Sequence, residues 1–326
     1  MSNPLLICMT PVRNEAWILH AFLKATSLWA DYIIIADQGS TDGSREIALS
    51  YHKVILVENK NPNFNEAERQ KMLIDKAREI EGDKILFGLD ADEIFAANFK
   101  ETEDWQKILN SQPGDVFWFR WAIICPDKEH YWDHQTFFPW MFHDDGKELH
   151  SSYVRNIHSM RIPYPIEEKQ MYYVTDFRVL HFVSFNVKRE IAKRRFYKLV
   201  DYLMNNLSIV QLSRMYTFKK SKDDLVLLPQ IWIHNPNTNK FDLFEEIDLS
   251  DNDFWFDNYI IKQIESNLQK VSKIDIWDKD LLHKYNIVDQ RTGLYKLIHW
   301  YLKITVNFSN NFLVKLTDKV FKKMSF

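Results

Sequence analysis

This sequence predicts an α/β architecture: a central, mostly parallel β-sheet with helices on both faces, and a helical C-terminal extension. Three observations predict it. Short apolar runs rich in β-branched residues alternate with apolar residues at helical spacing through the N-terminal third. Polar turns rich in Gly, Ser and Asp follow some of those runs. The C-terminal stretch repeats apolar positions at three- and four-residue steps. Strands that alternate with helices imply right-handed crossovers and a parallel sheet.

The elements follow in order. Leu5–Met9 is the first strand. Ala16–Trp29 carries Ile18, Phe22, Ala25 and Leu28 on one helical face. Tyr32–Ala36 is continuous and β-branched, as a strand buried on both faces should be. Ser44–Tyr51 is a short helix, Val54–Val57 a strand, Glu66–Glu81 a longer helix and Lys84–Leu89 the fourth strand. From Val116 the pattern changes. Val116–Ile124 predicts one strand, and His130–His143 is aromatic and His-rich without a clean period. Met171–Val183 holds one or two strands, and Val187–Asn205 is a strongly basic helix. Asp242–Asp257 has seven acids and no base and reads as a solvated loop or helix start. Leu294–Phe326 closes the chain as an amphipathic helical segment.

Composition narrows the function. The 326 residues carry 42 basic and 45 acidic side chains, a net charge of −3. Phosphate neutralisation needs a positive excess, so no nucleic-acid partner is expected. Cys8 and Cys125 are the only cysteines. They support neither a disulfide framework nor a cysteine zinc site, and a reduced, cytoplasmic setting is expected. The N-terminus lacks a basic region before its short apolar run, so it reads as a strand and not a signal peptide. No stretch approaches the apolar length that spans a bilayer.

Ligands of a parallel α/β sheet bind beyond the carboxyl ends of its strands. The first strand leads into Thr10-Pro11-Val12-Arg13-Asn14-Glu15. The second leads into Asp37-Gln38-Gly39-Ser40-Thr41-Asp42-Gly43-Ser44, a turn that can cradle a polar ligand or serve as an ordinary turn with a helix cap. The fourth leads into Leu89-Asp90-Ala91-Asp92-Glu93. Strand alternation would put Asp90 and Asp92 on one face. Two carboxylates placed so closely repel each other unless a cation joins them. Mg²⁺ or Mn²⁺ suits hard oxygen ligands of this kind and also holds substrate phosphates.

These three segments, in this order, resemble the N-terminal signatures of family 2 glycosyltransferases of the GT-A fold. The resemblance covers roughly the first hundred residues, with Gln38 standing where the family often has a second acid. It implies a metal-dependent, inverting transfer of sugar from a nucleotide-diphospho sugar, most simply a UDP-hexose. It implies that Glu15 and Asp37 contact the nucleoside, that Pro11, Arg13 and Gly39 shape its pocket, and that Arg69 lies near the diphosphate. Asp90 would hold ribose or sugar, and Asp92 would bind Mn²⁺ or Mg²⁺. The catalytic domain is then expected over residues 1–210, with a nucleotide-sugar half at 1–100 and an acceptor half at 101–210. The helical extension would occupy 211–326.

The middle of the chain resembles the lipopolysaccharide-core glucosyltransferase subgroup through Met141-Phe142-His143, Asn156-Ile157-His158-Ser159 and Val179-Leu180-His181-Phe182 before a basic helix. Ser159 replaces the subgroup's usual Glu. The resemblance makes His181 a second metal ligand and His158 an acceptor-side residue. An attacking hydroxyl needs a general base. Asp127 and Asp133 are the candidates, with Glu167 and Glu168 behind them. Trp121, Tyr131, Trp132 and Trp140 can stack on sugar faces or pack in a core. Leu294–Phe326 has six Lys and one Asp among aromatic residues, which suits either an anionic membrane surface or a helix packed on the domain. A surface glycan or lipid-linked acceptor fits this reading. Two rivals stay open: a sugar nucleotidyltransferase, whose usual Gly-rich phosphate loop is missing from Pro11–Glu15, and a non-catalytic glycan- or nucleotide-binding protein.

Overall fold

A computed structural model gives the fold and describes residues 3–61, 65–147, 159–163, 170–217, 225–250, 253–324 and 326. His158, Glu167 and Glu168 lie outside these residues. The chain forms two compact units, residues 1–186 with 223–251, and residues 187–222 with 252–326. The expectation placed the boundary at residue 210.

The first unit opens with β1 (Leu5–Val12), α1 (Ala16–Thr26), β2 (Tyr32–Asp37), α2 (Ser44–Leu49), β3 (Val54–Glu58), α3 (Glu66–Arg78) and β4 (Lys84–Gly88). β1 pairs in parallel with β2 and β4, and β2 with β3. Side chains of β1 alternate between two cores. Leu6 and Cys8 join Ile18 and Phe22 of α1 on one face, while Ile7 and Met9 join Leu73, Ile74 and Ala77 of α3 on the other. Burial on both faces is why these strands are continuous apolar runs. Because α1 and α3 cover opposite faces, β1 and β4 form a switch point, the place where open α/β sheets bind ligands beyond the carboxyl ends of their strands.

The chain continues through β5 (Glu93–Phe95), α4 (Glu103–Leu109), β6 (Val116–Phe119), β7 (Trp121–Ile124), β8 (His130–Asp133), β9 (Phe138–His143), β10 (Met171–Tyr173) and β11 (Val179–His181). The single strand expected over Val116–Ile124 is two strands in two different sheets, parted at Arg120. The seven-stranded sheet runs β10-β6-β9-β4-β1-β2-β3. The second sheet runs β12-β8-β7-β11-β5, where β12 is Leu225–Leu227. The His-rich stretch supplies β8 and β9, one to each sheet. A short α7 (Gln230–Ile233) completes the unit's helices.

Asp104 anchors α4 to the turn after β10. Its buried carboxylate accepts the backbone N–H groups of Thr175 and Asp176 at 2.7 and 3.0 Å, and Lys107 Nζ at 2.9 Å. Burial opposes the charge, but these donors outweigh it and hold Asp104 below its ordinary pKa. A depressed carboxylate stabilises the fold above its unfolded pKa and loses that contribution as pH falls through the folded one. Asp104→Asn is therefore expected to cost about 1–3 kcal/mol at neutral pH. The deficit should shrink as pH falls below the unfolded value of about 3.9, which urea denaturation across pH checks.

The second unit holds α5 (Val187–Met204), α6 (Ile209–Tyr216), α8 (Trp255–Val271), α9 (Lys279–Lys284), α10 (Gly293–Ile304) and α11 (Phe312–Lys323). The basic character of α5 is largely spent inside this unit. Arg195 bonds buried Asp257 at 2.7 Å and also pairs with Asp278. Arg194 bonds Glu190, and Arg189 lies over the Phe256 ring. Asp257 stands in the first turn of α8, which fits the helix-start alternative for the acidic run, but it is held in a buried ion pair and is not solvated. The helical tail is two helices, interrupted between Ile304 and Phe312. Among the described residues no helix is long and apolar enough to cross a membrane.

Candidate active site

The loops after β1 and β2 are stitched together. Asn14 N–H donates to Ser40 Oγ, and Glu15 N–H to Ser44 Oγ, both at 2.9 Å. Thr41 N–H donates to Asn14 Oδ1 at 2.7 Å. Asp42 accepts Ala16 N–H at 2.9 Å, so it serves a first-turn donor of α1 from the neighbouring loop. Gly39 and Gly43 take positive φ values of 68° and 95°, which lets this turn bend so tightly. The turn's serines and aspartates therefore knit the two loops, a part the sequence did not show.

Asp37 ends β2 with its side chain only 1% exposed, bonded to Arg45 at 2.6 Å. Glu15 accepts the Trp17 indole N–H at 2.7 Å. Pro11 is buried in β1, and Arg13 is half-buried just beyond the strand. Arg69 lies on α3, 3.9 Å from Glu66, and Glu66 in turn accepts Ser159 N–H at 3.0 Å. This contact brings the α3 helix to the short segment that carries Arg161.

The acidic motif is arranged differently from the expectation. β4 ends at Gly88, so Asp90 and Asp92 stand in the turn between β4 and β5 and not on one strand face. They also take different partners. Asp90 bonds Arg161 Nη2 at 2.6 Å. The same guanidinium reaches Glu93 Oε1 at 3.1 Å and lies 5.4 Å over the Trp140 ring. The cation that joins two neighbouring carboxylates here is Arg161, and the carboxylates are Asp90 and Glu93.

Glu93 is fully buried. It also accepts Trp121 Nε1–H at 2.9 Å and Asp90 N–H at 3.0 Å. Burial raises its pKa, against the pull of Arg161. The flanking carboxylates hold the Arg161 pKa above its ordinary value despite burial. The approach of this segment explains Gly88, since a Cβ there would lie 2.8 Å from Arg161 Cβ and 3.0 Å from its carbonyl oxygen. Sequence reading missed Arg161 and Glu93. A glycine inside a strand of a glycine-poor chain was the available signal, because such a glycine often marks close backbone approach.

Asp92 faces His181. Asp92 Oδ2 and His181 Nε2 are 3.7 Å apart, with side chains 6% and 12% exposed. Phe182 N–H donates to the Asp92 carbonyl at 2.9 Å, which fixes the turn against the end of β11. His181 Nδ1 is buried and has no hydrogen-bond partner among the described residues. The ring lies 4.7 Å from Trp121 at a tilt of 32°, and His134 meets Trp121 edge-on at 5.3 Å.

This pair fits a divalent cation. Two atoms each about 2.1 Å from one ion stand roughly 3 to 4 Å apart. The donors are a carboxylate oxygen and an imidazole nitrogen, both of which divalent metal ions accept. The nitrogen that faces Asp92 is Nε2, and the orphaned Nδ1 lies on the other side of the ring. Among the described residues no group of three or more His, Cys, Asp or Glu forms a cage. An ion held by only these two side chains would leave its remaining positions to phosphate oxygens and water.

Other candidates fall outside this cluster. Asp133 pairs across β7 with Ala122, which pairs with Leu180, while His181 lies in register with Ile123 and Glu93. Adjacent registers point to opposite faces. Asp133 thus lies on the other face of the sheet, between Arg120 at 3.7 Å and Arg178 at 3.6 Å. Asp127 closes the β7–β8 turn, accepting Glu129 N–H at 2.9 Å and bonding His130 Nδ1 at 3.0 Å. These bonds hold it below its ordinary pKa against slight desolvation, which suits a turn anchor more than a base. Trp140 is buried and packs on Trp121, Phe138 and Arg161, so it is no open platform for a sugar.

Residues 8–188 match the family model described as Glycosyl transferase family 2. No curated protein matches the chain significantly. Solved structures give distant likenesses. Glucosyl-3-phosphoglycerate synthase from Mycobacterium tuberculosis, solved with Mn²⁺, UDP and glucosyl-3-phosphoglycerate, is 18% identical over 37% of this chain and 44% of its own, with a TM-score of 0.28. The chain thus spans less than half the length of that synthase. HddC from Yersinia pseudotuberculosis is 10% identical over 55% of this chain and 93% of its own, with a TM-score of 0.33. At these scores the likenesses bear on neither site nor substrate. The family match covers more than half of the chain and takes in the ends of β1, β2 and β4 together with Asp92 and His181, and by that match the chain belongs to glycosyl transferase family 2.

Proposed function

We propose that this chain transfers a hexose, with inversion, from a UDP-hexose to a hydroxyl of a surface glycan of the lipopolysaccharide or capsule kind. The observation that carries the reading is the Asp92–His181 pair beyond the carboxyl end of β4, largely shielded from solvent, with Asp92 Oδ2 and His181 Nε2 3.7 Å apart. Asp92 would supply an anionic oxygen and His181 a ring nitrogen to a Mn²⁺ or Mg²⁺ ion. When bound, that ion neutralises charge gathering on the departing diphosphate. Glu15 and Asp37 stand at the ends of the strands that flank the nucleoside, and Arg69 adds positive charge from α3. Arg161 holds Asp90 in one orientation, so its free oxygen is set for a ribose or sugar hydroxyl. The sugar carbon takes on oxocarbenium-like character as the acceptor oxygen arrives from the opposite side. The acceptor class rests on the resemblance of the His143, Ser159 and His181 segments to the lipopolysaccharide-core subgroup.

Thermal denaturation with nucleoside diphosphates, with and without Mn²⁺, tests the donor site. Ligand at a hundredfold excess over Kd stabilises the folded state by about 2.7 kcal/mol. A rise with UDP that needs Mn²⁺ is expected, and no rise with any nucleotide would refute the donor site. Binding of UDP-hexose without transfer or hydrolysis would favour a non-catalytic binder, a reading helped by the arginine pairing of Asp37 and Asp90.

A further inference from the structure

The helices α10 and α11 run antiparallel, with Tyr301 on Phe321 at 5.5 Å and Tyr295 on Phe326 at 5.6 Å. Arg214 of α6 clamps their inner side. It bonds Asp318 at 2.8 Å, the Leu302 carbonyl at 3.0 Å and Thr305 Oγ1 at 2.9 Å. Ile298 and Leu302 are buried on this inner face, and His299 bonds the Lys273 carbonyl at 2.9 Å.

An ordinary surface helix has one apolar face and packs it. α10 has a second one. At about 100° per residue, Leu294, Leu297, Trp300 and Ile304 fall within an arc of roughly 120°, turned away from Ile298 and Leu302. All four are 49–60% exposed. α11 repeats the arrangement with Phe312, Leu313, Leu316 and Val320, and none of its residues is fully buried. Phe308, between the helices, is 63% exposed. Ten of the 24 large apolar side chains exposed among the described residues fall between Leu294 and Met324, so the patch is concentrated and not scattered.

Charge says what covers it. Lys296 and Lys303 border the outer arc of α10, and Lys315, Lys319 and Lys322 border that of α11, all exposed. The one acid, Asp318, is consumed by Arg214. Lysine stems can lie along an apolar surface while their heads reach anionic groups. Tryptophan favours the headgroup level. Each helix has 12 residues, too short to span a bilayer but able to lie in its interface.

We propose that the outer face of α10 and α11 docks on an anionic membrane surface, both helices lying in the plane of the headgroups. The inference does not depend on sugar transfer. Co-sedimentation of the full chain with phosphatidylcholine vesicles, with and without phosphatidylglycerol, tests it. Binding that needs phosphatidylglycerol and weakens with salt is expected. Leu297→Ser with Leu316→Ser, and separately Lys315→Glu with Lys319→Glu, should each lower the partition by about tenfold or more. Both pairs alter exposed residues, so the melting temperature should not change. Equal partition of the variants and the original chain would overturn the proposal, as would equal binding to uncharged vesicles. So would a self-associated protein in ultracentrifugation that ignores vesicles and is split by the same variants, since a second copy would then cover the face.

Discussion

Asp92→Asn is expected to leave the fold intact and to reduce sugar transfer by about 10²–10³-fold, the usual effect of losing one electrostatic contact to a departing group. The substitution conserves shape, so a side chain only 6% exposed needs no repacking. It removes the anionic oxygen that faces His181. Steady-state kinetics over a Mn²⁺ titration beside a melting curve would check this. Activity that stays near the original level at every Mn²⁺ concentration would end the assignment of Asp92 to the metal. His181→Ala should raise the Mn²⁺ concentration needed for half-maximal rate. If it lowers only the melting temperature, His181 is a packing residue.

Arg161→Met is expected to destabilise the protein by about 3–5 kcal/mol, the range for stranding one member of a buried ion pair. Glu93 is fully buried, and without the guanidinium it keeps, among the described residues, the Trp121 and Asp90 N–H donors. The cost should depend on pH. Burial already raises the Glu93 pKa, and Arg161 is the largest influence that lowers it. Removing Arg161 therefore raises it further. A raised carboxylate stabilises the fold below its unfolded pKa, about 4.3, and that contribution is lost as pH climbs through the folded value. The variant's deficit should thus be smallest in acid and grow toward neutrality. Glu93→Gln added to Arg161→Met should recover part of the loss, a coupling that a double-mutant cycle reads. Urea denaturation of the four proteins across pH checks both points, and a deficit independent of pH and of Glu93 would sink the account.

Much of the N-terminal fold was legible because its signals are local. β1 through β4 are short apolar runs between turns, and the period of 3.6 residues marks α1 and α3 without knowledge of partners. The motif segments were legible for the same reason, each following a strand at its carboxyl end. Boundaries shifted by a few residues where the period continues past the last backbone bond, as at α2 and α3. Val116–Ile124 was misread because β6 and β7 have the same composition, and only pairing shows that they leave Arg120 for different sheets. The pairings of the basic helix α5 stayed hidden because sequence shows its bases and not the acids that meet them. Arg195 and Asp257 are 62 positions apart.

By itself the sequence determined the alternating strands and helices, the three polar segments at their carboxyl ends, and the cation-fringed apolar character of the C-terminal helices. Each is a property of neighbours within a turn or a strand, and local sterics and periodicity suffice for it. Tertiary structure alone decided that Asp90 and Asp92 serve different partners, that Arg161, 71 positions from Asp90, neutralises it together with Glu93, and that Asp133 lies on the far face of its sheet. Those outcomes follow from strand register and chain crossing. A shift of one residue in register turns a side chain to the opposite face, so no count along the chain can show which charges meet.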